Sequence, residues 1–245
     1  MCVVPLLLWV QLLQNPGTVL SAAKQARAEG KYEAAAALFD LLAATSPRDG
    51  ALYEAQGDAH YLAGHLAHAI FAYRRAARVG GHADRLHHNL ASLRGRVVDS
   101  PGNLGQEGMW LGSRRTHTGV ALAGYVLGWT ALLVWLSRRR RCWALGSCAM
   151  FVLALIVALP LLTQTDTPFA VVAVEQLTLR RGNGVSYAPV EQGDKVVIVH
   201  QGAEARVRAA RGNGWVQLKF ANGVIGWAPR EHLLLGNEDS LPLRD

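Results

Sequence analysis

Histidine is the residue type whose placement in this chain most invites chemistry, because His60, His65, His68, His82, His87 and His88 fall within one short stretch. Imidazoles can ligate a first-row metal or move a proton, but a helical metal site needs two ligands one turn apart, with a carboxylate or third histidine converging on them. His65 falls at an interhelix turn rather than on a shared face. No metal and no cofactor are therefore expected. The usual catalytic arrangements are missing as well: there is no nucleophile elbow, no phosphate loop and no paired zinc histidines. Cys2, Cys142 and Cys148 are too few for a disulfide framework, two of them lie in an apolar stretch, and none sits near a histidine in a soluble segment. A non-enzyme is the expected class.

The elements that would carry these residues are framed by composition. The chain of 245 residues is 51% hydrophobic and only 18% charged, with a formal net charge of +7. The positive charge does not read as a nucleic-acid surface, because the arginines are scattered or sit beside apolar segments instead of forming a basic stripe interleaved with aromatics. It reads as orientation in a membrane. Residues 118–137 and 142–163 are expected to be two transmembrane helices, since each run is charge-free and long enough at the helical rise to cross a hydrocarbon core. The loop 138–141 between them holds Arg138, Arg139, Arg140 and Arg141. Each arginine would cost about 3 kcal/mol at mid-membrane, so the loop is expected outside the lipid, on the cytoplasmic side, as the determinant of topology. Arg114 and Arg115 before the first run weaken that bias without reversing it. Trp110, Tyr125, Trp129, Trp135 and Trp143 read as lipid-facing interfacial anchors. The expectation is a multi-pass protein of the bacterial inner membrane, in contact with the lipid bilayer, whose flanking domains are both extracytoplasmic. Residues 1–15, with an apolar run from Val3 to Leu13, are the size of a signal peptide or uncleaved signal anchor, although no basic residue precedes Lys24.

Residues 16–98 carry an internal repeat at a spacing of 34, pairing Gly30 with Gly64, Ala35 with Ala69, Phe39 with Tyr73 and Leu42 with Ala76. Ala35, Leu38, Phe39 and Leu42 follow helical spacing and form one apolar face. The period resembles that of tetratricopeptide repeats, and Tyr53, Gly57, Tyr73 and Ala76 stand at positions typical of that family. Gln56, His60 and Gly81 depart from it. Two repeats and a capping helix with Leu86, Leu90 and Leu93 are expected, a core small enough to gain stability from a membrane surface or a partner. Such domains line a concave groove with the first helix of each pair. That mapping marks Lys24, Arg27, Glu54, Asp58, Tyr61, His88 and Asn89 as candidate partner contacts. Residues 99–117 read as a linker.

Residues 168–236 change to short alternating runs: Phe169 to Val174, Leu177 to Arg180, Lys195 to Val199, Ala205 to Ala210, Trp215 to Phe220 and Val224 to Ala228. Asn213-Gly214 and Asn222-Gly223 mark two tight hairpins. Leu179-Arg180, Gly193, Trp215, Gly223 and Gly226-Trp227 resemble a bacterial SH3-like domain, which implies a small all-β barrel. The acidic loop and aromatic cluster of a polyproline groove are not evident. Tyr187, Trp215 and Trp227 are the surface or rim candidates, the two tryptophans being read first as structural. Residues 237–245 form a tail.

The fold class expected is thus a multidomain membrane protein: all-α tetratricopeptide hairpins, a two-helix transmembrane hairpin and an all-β SH3-like barrel. That order, with His88, Asn89 and Leu90 closing the repeat, resembles BatE-type proteins of bacterial aerotolerance operons. The resemblance implies a non-catalytic scaffold for protein–protein interaction in an envelope stress or aerotolerance complex, beside membrane-anchored von Willebrand factor A-type proteins and a MoxR-type ATPase. The alternative is an accessory protein that binds peptidoglycan through its SH3-like domain.

Overall fold

Local signals place the helices. Pro16 opens α1 (Pro16–Ala28), where its fixed φ and missing N–H do no harm. Gly30, at φ 75°, turns the chain into α2 (Tyr32–Thr45). The Asp49 carboxylate caps α3 (Gly50–Leu62) by accepting from the backbone N–H groups of Ala51 and Leu52 at 3.0 and 3.1 Å. Gly64, at φ 84°, repeats the first turn and leads into α4 (Leu66–Val79), and α5 (Ala83–Arg94) follows. The computed structural model describes residues 15–47, 49–80, 82–98, 114–138, 148, 150–152, 154–155 and 168–236.

Successive helices pack on one another through small residues and aromatics: Ala23, Ala35, Phe39, Tyr53, Ala59, Ala69, Ile70, Tyr73 and Ala76 are all buried. A Cβ at Gly57 would lie 2.7 Å from the Tyr73 ring, so α3 and α4 approach as closely as they do because position 57 has none. Polar ties join α2 to α3: Gln56 Nε2 donates to Asp40 Oδ1 at 2.7 Å and His60 Nε2 lies 2.8 Å from the same oxygen. Burial pushes the Asp40 carboxyl up, but those bonds from His60 and Gln56 outweigh it and hold the group below its ordinary value.

The β-rich segment contains β1 (Phe169–Val172), β2 (Gln176–Thr178), β3 (Glu191–Gln192), β4 (Lys195–Val196), β5 (Ile198–His200), β6 (Glu204–Ala210), β7 (Trp215–Lys219), β8 (Ile225–Pro229) and β9 (Leu233–Gly236). Gly214 and Gly223, at φ 80° and 85°, close the hairpins β6–β7 and β7–β8 at the two Asn-Gly turns. The expected closed barrel is corrected here. Five antiparallel strands lie in the order β8-β7-β6-β1-β9, with β2-β5 and β3-β4 as separate pairs. The sheet edges β8 and β9 do not pair. Pro229 and a 3₁₀ turn at Arg230–His232 redirect the chain between them, and β9 continues antiparallel beside β1. β1 is buried along its whole length because β6 and β9 flank it and α4 packs against it.

The helical repeats and the β-rich segment, expected as separate domains, belong to one compact unit formed by residues 1–105 and 167–245. Glu204 at the start of β6 is only 4% exposed, yet it is charged and paired. Arg94 Nε and Nη2 of α5 donate to its two oxygens at 2.7 and 3.0 Å. Arg74 Nε of α4 stands 3.0 Å from Oε2, at ion-pair distance but without hydrogen-bond direction, so its attraction is coulombic. Burial pushes the Arg74 guanidinium down from its ordinary value, and Glu204 opposes that shift. Beside the pair, the Phe169 ring lies tilted against Phe71 at 5.6 Å between ring centroids, and the Arg78 guanidinium lies 4.6 Å over the Phe169 ring.

Residues 106–166 form the second unit. Its α6 (Arg114–Arg138) holds Gly124 and Gly128 against Ala154 and Phe151, with Tyr125 and Trp129 edge-on to the Phe151 ring at 5.9 and 6.0 Å. The two expected spans are corrected: among the described residues no helix is long and apolar enough to cross a membrane. The expected multi-pass inner-membrane location, with extracytoplasmic flanking domains, is withdrawn with them. Most of 142–163, Arg139 to Arg141 of the arginine loop, and the segment 1–14 lie outside the described residues.

Two stability measurements check this packing. Glu204→Ala leaves two arginines without their counter-charge and is expected to lower stability by about 3–5 kcal/mol in denaturant unfolding. Gly57→Ala forces a methyl into the Tyr73 ring and is expected to cost about 1–3 kcal/mol in the same assay.

Candidate functional site

Five of the seven candidate contacts meet around one cavity of about 590 Å³ on the helical repeats: Arg27, Asp58, Tyr61, His88 and Asn89. Arg27 comes from α1, Asp58 and Tyr61 from α3, and His88 and Asn89 from α5. The first helix of each pair therefore supplies them, as helical spacing requires when one face of every such helix turns inward. Tyr32, Leu62, Tyr73, Ser92 and Leu93 complete the lining.

Asp58 is the electrostatic centre of this groove. The Tyr73 hydroxyl donates to its Oδ1 at 2.7 Å, while Arg27 Nη1 and Arg85 Nη2 stand 3.5 and 3.3 Å from Oδ2. Burial pushes the Tyr73 phenol up, and the hydrogen bond to Asp58 reinforces the shift, since ionised tyrosine would face the carboxylate with no proton to donate. At the rim, Arg96 Nη2 donates to the Tyr61 hydroxyl at 3.0 Å, and its guanidinium lies 5.2 Å over the same ring. Asp58 thus pairs with two arginines, Arg27 and Arg85, while Arg96 lies on the Tyr61 ring, a surface suited to a segment with apolar and acidic side chains.

The two remaining candidates do other things. Lys24 is exposed on α1 and does not line the cavity. Glu54 is buried and accepts from the His82 backbone N–H at 2.6 Å, which pins the start of α5 to α3. Tyr73 and Tyr32 were missed because they belong to the second helix of each pair, and helical spacing on the first helices carries no signal for them.

The β-rich candidates line neither of the two cavities described here. Tyr187 is half exposed and covers Gly182, where a Cβ would lie 2.5 Å from its ring. Trp215 and Trp227 are half-buried within the strands, and the Trp227 backbone exchanges hydrogen bonds with Arg180 at 2.8 and 2.9 Å. A second cavity of about 290 Å³, lined by residues including Lys195, Val196, Ile198, Phe220 and Asn222, uses none of these three aromatics.

Comparison with known proteins finds no matching protein family and no matching curated sequence.

The Tyr73–Asp58 bond gives a signed pH test. A raised folded-state value means that its contribution is fully present below pH about 10, the unfolded tyrosine value, and is lost as pH rises beyond that. The stability difference between wild type and Tyr73→Phe should accordingly stay constant to about pH 10 and shrink above it in denaturant titrations at stepped pH.

Proposed function

We propose that this chain is a non-catalytic interaction module whose helical groove takes an acidic, partly apolar peptide segment of a partner protein. The observation that carries this reading is the convergence of Arg27, Asp58, Tyr61, His88 and Asn89 on one cavity. Its tyrosines and leucines offer apolar contact area at low entropic cost, and Arg27, Arg85 and Arg96 offer fork-shaped donors to carboxylates. The resemblance to BatE-type proteins makes von Willebrand factor A-type proteins and a MoxR-type ATPase the partners to try first. The peptidoglycan alternative draws no support from the 290 Å³ cavity of the β-rich segment, which Tyr187, Trp215 and Trp227 do not line.

Fluorescence anisotropy of labelled peptides on the full chain tests the reading. Acidic peptides with leucine or phenylalanine should bind more tightly than charge-reversed ones. Arg96→Ala and Tyr61→Ala should each weaken binding by about tenfold, equivalent to about 1.4 kcal/mol. Equal binding of both peptide sets, or no loss in these variants, would contradict it.

A further inference from the structure

The turn between α3 and α4 gathers three imidazoles that the groove does not use. The backbone closes this turn with a bond from the His65 N–H to the His60 carbonyl at 2.9 Å, and the side chains of the same two residues close it again, Nδ1 to Nδ1 at 3.4 Å. The direction of that second bond follows from α2. His60 Nε2 lies 2.8 Å from Asp40 Oδ1, and a carboxylate only accepts, so Nε2 carries a hydrogen and a neutral His60 offers its bare Nδ1 to the His65 Nδ1 hydrogen. When both rings become imidazolium, both Nδ1 atoms carry hydrogen. The bond then has no acceptor, and two positive rings face each other across it.

His68 of α4 adds to this limit. Its ring stacks on His60 at 5.1 Å between centroids and stands 5.9 Å from His65. The carboxylates facing the three rings come from α2: Asp40 is bonded to His60, and Glu33 Oε1 lies 3.2 Å from His65 Nε2, at ion-pair distance. Two carboxylates serve three rings, and both are engaged away from His68. Burial pushes the His68 imidazole below its ordinary value, the His60 and His65 rings push it the same way, and Asp40 opposes them.

We propose that His60, His65 and His68 form an acid-released latch, which holds α4 to α3 while one Nδ1 of the His60–His65 pair is bare and lets go when the cluster is fully protonated. His60 directly precedes Tyr61 and Leu62 of the groove lining, so the latch regulates the peptide site, a consequence that rests on the function proposed above. The folded chain resists a proton that the unfolded chain takes up near pH about 6.5. The latch therefore contributes fully above that pH and loses its contribution as pH falls below it, with a limiting slope of about tenfold in the unfolding equilibrium constant per pH unit for one excluded proton.

Denaturant unfolding of the full chain from about pH 8 to about pH 5, wild type against His65→Gln and His68→Gln, tests the latch without any peptide. The ratio of variant to wild-type unfolding constants should be flat above about pH 7 and fall by about tenfold toward about pH 5, because each variant has one fewer ring to protect from protons. The ratio removes any constant cost of the substitution itself. Ratios that stay flat over the whole range in both variants overturn the latch. Anisotropy of the labelled acidic peptide should show affinity falling over the same range in wild type and falling less in His68→Gln. Equal losses in the two chains overturn the regulation, whereas an absence of binding at about pH 8 overturns the groove reading and leaves the unfolding ratios to decide the latch.

Discussion

The pairing of Glu204 with Arg94 and Arg74 is the constraint on which the rest of the main unit depends. A carboxylate 4% exposed is costly to bury alone, and the two guanidiniums that neutralise it come from different helices. The three charges therefore fix the start of β6 against α4 and α5 at once. Nonspecific apolar contact would allow the sheet to slide over the helices, whereas a two-pronged arginine bond admits one register.

That register matters for the groove. Tyr73 lies on α4 one position before Arg74, and His88, Asn89, Ser92 and Leu93 lie on α5 just before Arg94. The helices that dock on the sheet thus present their other faces to the cavity. A solenoid of two helical pairs and a single added helix leaves an apolar end uncovered, and stacked repeats normally cover such an end with a further repeat. Here the sheet does it: Gly202, just ahead of β6, approaches Val97, Ile70 and Leu66 so closely that a Cβ there would lie 3.0–3.5 Å from their side chains. The small repeat core is completed from within the same chain.

Much of the local structure was legible in the sequence because it is specified by neighbouring residues. Gly30 and Gly64 announce equivalent turns, and Asn213-Gly214 and Asn222-Gly223 announce hairpins, since positive φ is a property of the position itself. The groove was legible in part, because spacing on the first helix of each pair selects Asp58 and Tyr61 but cannot select Tyr73. What was not legible depends on long-range pairing. β9 was not expected, because Leu233 to Gly236 acquires its role only beside β1, and the barrel did not close for the same reason. The histidines were judged by the rule for a single helix face, whereas His60 and His65 meet across a turn. The apolar runs after residue 117 were judged by charge-free length, whereas among the described residues no helix is long and apolar enough to cross a membrane.

Native-state hydrogen exchange resolved by segment is the most direct test of the claim that sheet and repeats form one cooperative body. The account predicts that the most protected amides of α4, α5, β1 and β6 share one opening free energy and fall together when denaturant is added. Protection in β1 and β6 that collapses while α4 and α5 keep theirs would contradict it.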